Sequence, residues 1–387
     1  MQGFPFQKLG EVIELVSGQH IAAKDYNNES IGLPYLTGPS DFGVRNPKIT
    51  RWTEYPKKCA LKDDILITVK GSGVGSINVL DIDRVAISRQ LMAIRAKNAN
   101  GRYIELFLSL HQEHFRQAAS GAAIPGLSRE DVLNLPIPLP PLEEQRRIVA
   151  KLDQAFTALD RARAHAEANL ADAGKLYEAT IRQLFDDRNS WHCEDLNKRV
   201  RFIDYRGKTP PKRETGVRLI TAKNVRMGFI KEDPCEFILE SAYDEWMTRG
   251  FPQKGDVLFT TEAPLANVAE LDTDEKVVIG QRLITMQTDR TEVLPRFLKW
   301  SLLSPQMQQD IREKGTGATV TGIKASLLKK IPFHIPPSFD GQNTISEKCE
   351  AAFALRDKLA AQYQSQLTDL ADLRQSLLQK AFSGRLT

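Results

Sequence analysis

The chain has 387 residues, 41% of them apolar and 26% charged, with a formal charge of +4. That length exceeds one ordinary hydrophobic core, and the composition is that of a globular protein, excluding disordered and fibrous classes. No run approaches the roughly 18 uninterrupted apolar residues of a membrane span, and the start, MQGFPFQKLGEV, lacks a basic region followed by an apolar stretch, so no membrane partner and a cytoplasmic location are expected.

From the N-terminus, short runs rich in Val, Ile, Leu and Thr (ILITV, INVLDI, AIRA) alternate with Gly, Asn and Asp turns and predict strands of a mixed or antiparallel sheet. Between the first two runs, Val69-Lys70-Gly71-Ser72-Gly73-Val74-Gly75 looks like a glycine-rich cofactor loop. A strand pattern, Ser76-Ile77-Asn78-Val79-Leu80, follows it where a phosphate-binding fingerprint needs a helix N-terminus, so a turn between strands is expected. Arg102 to Ala119 carries helical spacing, and the domain closes on Leu135-Pro136-Ile137-Pro138-Leu139-Pro140-Pro141.

A pattern without proline then runs from Leu142 to about Phe185. Within it Val149, Leu152, Phe156, Leu159, Ala166, Leu170, Ala173, Tyr177 and Leu184 recur at three- and four-residue steps, a heptad seam. A helix of about 40 residues spans about 60 Å, more than a small domain can cover, so this stripe needs a second long helix.

The remainder repeats the first half. Lys62-Asp63-Asp64-Ile65-Leu66-Ile67-Thr68 is echoed by Lys254-Gly255-Asp256-Val257-Leu258-Phe259-Thr260, and Val85 to Leu91 by Val277 to Leu283. Ser120 to Leu127 is echoed by Thr316 to Ile323, and the closing segment by Ile331-Pro332-Phe333-His334-Ile335-Pro336-Pro337. Order and spacing agree throughout, so one domain is present twice. Helical spacing recurs over Pro295 to Lys314, and a second long helix is expected from Gln342 to about Phe382, with Cys349, Phe353, Ala360, Tyr363, Leu367, Leu370, Leu377 and Ala381 along one stripe. The expected fold is α+β, with two homologous domains, 1–141 and 188–337, separated by two long helices, 142–187 and 338–387, that pair as an antiparallel coiled coil.

Cys59, Cys193, Cys235 and Cys349 are scattered singly and read as free thiols, Cys349 in the helix seam. Chemistry of the chain's own is not legible. There is no Asn-Pro-Pro-Tyr or Asp-Pro-Pro-Tyr, no GxxxxGK[ST] and no HExxH, and His111 and His114 lack companion ligands at metal-site spacing, so neither catalytic residues nor a metal are expected.

The stretch Leu135 to Pro141 followed by Leu142-Glu143-Glu144-Gln145-Arg146-Arg147-Ile148-Val149 resembles the boundary between a target-recognition domain and a conserved helix in the Type I restriction-modification specificity subunits, the HsdS family. Ile331 to Pro337 with Gln342 and Ile345 resembles the same boundary, and Leu377 to Leu386 resembles the family's usual C-terminus; Ser338-Phe339-Asp340-Gly341 departs from the pattern by one inserted residue. The resemblance implies a non-catalytic subunit that reads double-stranded DNA, one half of a bipartite target per domain. It implies partners as well: two methylation subunits that bind S-adenosylmethionine and dock on the helices, and restriction subunits that use ATP and Mg. A stand-alone methyltransferase or nuclease, or a coiled-coil adaptor, are the alternatives; the missing motifs oppose the first two, and two domains diverging in their loops oppose the third.

Polar side chains on loops can reach base edges and phosphates. The candidates are Lys70, Ser72, Ser88, Arg89 and Gln90 in the first domain, and Lys208, Lys223, Asn224, Arg226, Gln281 and Arg282 in the second. Helix pairing is assigned to Val149, Leu152, Phe156, Leu159, Leu170 and Tyr177 on one helix, and to Phe353, Tyr363, Leu367, Leu370 and Leu377 on the other.

Overall fold

The computed structural model describes residues 4–71, 73–120, 126–205, 210–316 and 321–386. Contacts divide the chain into two compact units, 1–167 with 365–387, and 168–364.

The first unit opens with β1 (Phe6–Lys8), β2 (Ile13–Ser17), β3 (Leu33–Leu36), β4 (Trp52–Thr53), β5 (Cys59–Leu61), β6 (Ile65–Thr68), β7 (Ile77–Val79), β8 (Arg84–Ile87) and β9 (Leu91–Ala96). Then come α1 (Gly101–Leu110), α2 (Gln112–Ser120), α3 (Arg129–Leu133), β10 (Pro136–Pro138) and the long α4 (Leu142–Leu184). An antiparallel sheet of order β2-β9-β6-β7 packs beside a mixed sheet of order β4-β3-β8-β5, in which β3 and β8 are parallel.

The second unit repeats the plan with β11 (His192–Asp195), β12 (Val200–Asp204), β13 (Val217–Ile220), β14 (Glu236–Ile238), α5 (Tyr243–Trp246), β15 (Val257–Thr260), β16 (Val268–Glu270), β17 (Val277–Ile279) and β18 (Leu283–Thr288). It continues through α6 (Pro295–Leu303), α7 (Pro305–Glu313), α8 (Ala325–Leu328) and β19 (Pro332–Ile335) into the long α9 (Phe339–Phe382). Its sheets run β12-β18-β15-β16 and β14-β13-β17, with β13 and β17 parallel.

The unbroken apolar runs of β6 and β15 are explained by burial on both faces. Side chains alternate across a strand, so Ile65 and Ile67 enter the core under the helices while Leu66 enters the core between the sheets. Val257 and Phe259 divide from Leu258 in the same way. Each domain is therefore three layers: helices, one sheet, second sheet.

Both long helices contribute to both cores. Ile148, Leu152 and Phe156 near the start of α4 join Leu378, Ala381 and Phe382 near the end of α9 in the first core. In the second core Ile181 and Phe185 at the end of α4 meet Ile345 and Cys349 near the start of α9. Cross-helix contacts follow the same order: Arg374 binds Asp160 at 2.8 Å and lies over Phe156, whereas Phe353 and Arg356 lie against Tyr177. Facing positions rise along α4 and fall along α9, an antiparallel pair.

Val149, Leu159 and Leu377 are half-buried against the first core, and Leu152 and Phe156 are buried within it. Leu170, Tyr363, Leu367 and Leu370 are half-buried along the pair. Phe353 also packs on its own domain, 5.6 Å from Trp300, and leaves no room for a Cβ on Gly228. Cys349 is fully buried, and burial pushes its thiol up to about 12.

Several boundaries differ from expectation. Each single helix expected before the closing segment is two. In the second domain Ser304 ends α6 and its hydroxyl accepts from Met307 N–H, while Pro305, which has no N–H to give, starts α7. In the first domain the break is at His111, whose Nδ1 bonds the Phe107 carbonyl. The long helix expected from Gln342 begins earlier, at Phe339, because Ser338 Oγ accepts from Gly341 N–H and caps its first turn.

The matched glutamines Gln145 and Gln342 fasten each long helix to its domain. Gln145 Oε1 accepts from Asn100 N–H at 2.9 Å and its amide donates to the Pro140 carbonyl; Gln342 does the same to Leu294 N–H and the Glu292 carbonyl. Both are buried. Asn100 and Leu294 are the residues that cap α1 and α6, so the amide supplies a partner that a helix start otherwise lacks. Gln342→Leu should destabilise the protein by about 1–3 kcal/mol by orphaning those groups; denaturant unfolding of wild type and variant checks it, and Gln145→Leu should behave alike.

Candidate nucleic-acid interface

In the first domain, the ends of β2, β3 and β6 and the β8–β9 turn meet at one rim. Gly18 N–H bonds the Leu91 carbonyl and Gln19 N–H the Ile87 carbonyl. The backbones approach so closely that a Cβ on Gly18 would stand 2.1 Å from the Ser88 carbonyl oxygen. Val69 N–H bonds the Gln90 carbonyl, and the Gln90 side chain lies across Gly38. Lys70, Arg89 and Gln90 are exposed on this rim.

Ser88 is a correction. It is buried, and its hydroxyl bonds the Thr37 carbonyl and accepts from Gln90 N–H, so it fixes the loop and is not offered to DNA. Ser72 and Lys208 lie outside the described residues, as do parts of the matched segments 120–127 and 316–323.

The second domain builds the equivalent rim from Thr221–Lys223, the β17–β18 turn and Ala263. They line a groove of about 140 Å³ that brings together Lys223, Gln281 and Arg282 with Lys212 and Glu236. Arg282 pairs with Glu262 at 3.1 Å, and Lys212 with Glu236 at 2.8 Å. Arg226 is not among the lining residues. It lies in the turn whose Gly228 rests on Phe353, and its guanidinium bonds the Val225 carbonyl.

Asn224 is the second correction. Its oxygen accepts from both the N–H and the hydroxyl of Thr221, and its amide donates to the carbonyls of Lys231, Glu232 and Pro234. It is buried with its hydrogen-bonding capacity used. The first domain has the same device in Thr37, whose N–H and hydroxyl both bond Asp41. Thr37 and Thr221 each follow the last residue of a matched strand with Asp or Asn three or four positions on, a turn signature present in the sequence.

Beneath the rims the scaffold is shared but its charges are not. Asp64 is buried and held by both arms of Arg95, at 2.9 and 2.8 Å. Asp256 occupies the matched place opposite Gln287, 2.7 Å away, and burial raises its carboxyl above the usual range.

The rims stand on a fold found elsewhere. A solved chain from work on complex assembly and conformational transition of the type I R-M system superposes with a TM-score of 0.80 at 20% identity, covering 100% of this chain and 99% of that one. The HsdS subunit from Thermoanaerobacter tengcongensis superposes at 0.59 with 19% identity, covering 99% and 97%. Residues 1–167 match the sequence model of the Type I restriction modification DNA specificity domain. Over those residues the chain is similar to that domain, and over its whole length it shares the fold of these two solved chains. The EcoBI specificity subunit of Escherichia coli is 24% identical over 295 residues, 69% of this chain and 62% of that subunit. The chain spans 33% to 64% of the length of the first curated specificity subunits that it matches. Among the described residues, no helix is long and apolar enough to cross a membrane.

Proposed function

We propose that the chain selects the DNA sequence for a Type I restriction-modification complex and performs no chemistry itself. Each domain reads one half of a bipartite target from its rim: Lys70, Arg89 and Gln90 in the first, Lys223, Gln281 and Arg282 in the second. The observation that carries the reading is the construction of one loop rim twice, on matched anchors at Thr37–Asp41 and Thr221–Asn224, with different polar side chains exposed.

The paired helices set the distance between the halves and dock two methylation subunits. Those subunits supply S-adenosylmethionine and the methyl transfer, and restriction subunits supply ATP- and Mg-dependent cleavage. A formal charge of +4 gives few phosphate contacts, so tight binding needs the partners' surfaces as well.

Exchange of residues 1–135 for the same region of a relative tests the assignment. Methylome sequencing of cells carrying the exchanged system should show one half of the target changed and the other retained. A change in both halves would refute independent reading.

A further inference from the structure

The second domain's groove holds an acid that the DNA-reading role above has not used. Glu236 Oε1 accepts from Lys212 Nζ at 2.8 Å. Its other oxygen, Oε2, is shielded from solvent and has no donor among the described residues. Buried acceptors without partners are rare enough to need a reason. Lys212, Lys223 and Arg282 make the lining cationic, and Glu236 is its single carboxylate among the described residues.

The first domain shows what the position normally does. Tyr35 and Leu219 are equivalent, each pairing in parallel with the matched strand, opposite Ala86 and Val278. Across the other edge Tyr35 N–H bonds the Arg51 carbonyl, and Leu219 lies opposite Glu236. Arg51 and Glu236 thus hold one place in the two domains with opposite charge. Arg51 is engaged within its own loop, by Thr37 Oγ1 at 2.8 Å and Asp41 at 3.3 Å. Glu236 has one oxygen engaged and one left over.

Resting on that DNA-reading role, we propose that Glu236 is a specificity-determining residue of the second domain, accepting a hydrogen bond from the exocyclic amine of a base, cytosine N4 or adenine N6. A carboxylate repels phosphate and adds nothing to affinity for the backbone; what it does at a base edge is accept from an amine and reject the carbonyl oxygens of guanine and thymine. Lys212, half exposed on a flexible stem, engages only Oε1, so Oε2 keeps its accepting capacity for a base seated in the groove.

The test uses the complex purified from its host through a tag on this chain, and selection from a randomised duplex library. With Glu236→Gln, the amide donates as well as accepts. At one position of one half-site the preference for the amine-bearing base should fall about five- to a hundredfold, and the base lost identifies cytosine or adenine. The other half-site and the affinity for the pool should be unchanged. Unaltered preference at every position, or a uniform loss of affinity, overturns the proposal. Lys223→Ala with Arg282→Ala separates the two levels: lowered affinity there beside an unaltered Glu236→Gln target refutes only the role of Glu236, whereas unchanged affinity refutes DNA reading by this groove. Should Glu236→Gln melt early, Glu236→Asp, which retracts the carboxylate by one methylene, takes its place with the same expected and overturning results.

Discussion

Phe382→Ala should destabilise the first domain by about 3–5 kcal/mol. Phe382 is more than 200 residues from most of the side chains it supports, yet its ring lies 4.9 Å from Tyr103 and 5.3 Å from Phe107 and is only 6% exposed. Tyr103 cannot shift to fill the space, since its hydroxyl is bonded to the Pro138 carbonyl at 2.8 Å. A domain is stable by about 5–15 kcal/mol in total, so this single truncation removes a large share. Leu373→Ala, at a position 48% exposed on the same helix, should change stability by no more than about 0.5 kcal/mol. Denaturant unfolding of the two variants checks the contrast; equal effects would mean that the end of α9 is not part of the first core.

The second large effect is on DNA geometry. Four residues inserted near Ala168, where the compact units divide along α4, add about 6 Å of helix, or roughly two base pairs at about 3.4 Å each, and nearly preserve the apolar stripe because four residues approximate one turn. The antiparallel contacts Arg374–Asp160 and Phe353–Tyr177 cannot both survive if only one helix grows. A matching insertion near Gln364 in α9 restores them. The doubly inserted protein should recognise the same two half-sites with an unread gap longer by up to about two base pairs, read by methylome sequencing. An active enzyme with the original gap would refute a spacing role for the helices.

What was legible in the sequence follows from what repeats and what has a period. The duplicated segments, the Pro-Pro boundaries and the heptad steps fixed the two-domain plan and placed α4 within about a residue of its observed ends. The breaks at His111 and Ser304 were missed because apolar spacing continues through them; only the Ser304-Pro305 step announces one. Individual contacts were less legible, since polarity in a loop does not say whether a side chain faces solvent or its own backbone. Ser88 and Asn224 look like Lys70 or Gln281 in a sequence, and differ by the carbonyls folded around them. Gln145 and Gln342 were visible as matched residues at the two boundaries, and their meaning needed the starts of α1 and α6 to be brought beside them.

The sharing of each core between both long helices has a consequence for synthesis. Residues 1–167 leave the ribosome without Leu378, Ala381 and Phe382, which complete their core. At about 5–20 residues per second, roughly 10–40 seconds pass before those side chains emerge. For that interval the nascent first domain lacks the side chains that complete the core around Leu152, Phe156 and Tyr103.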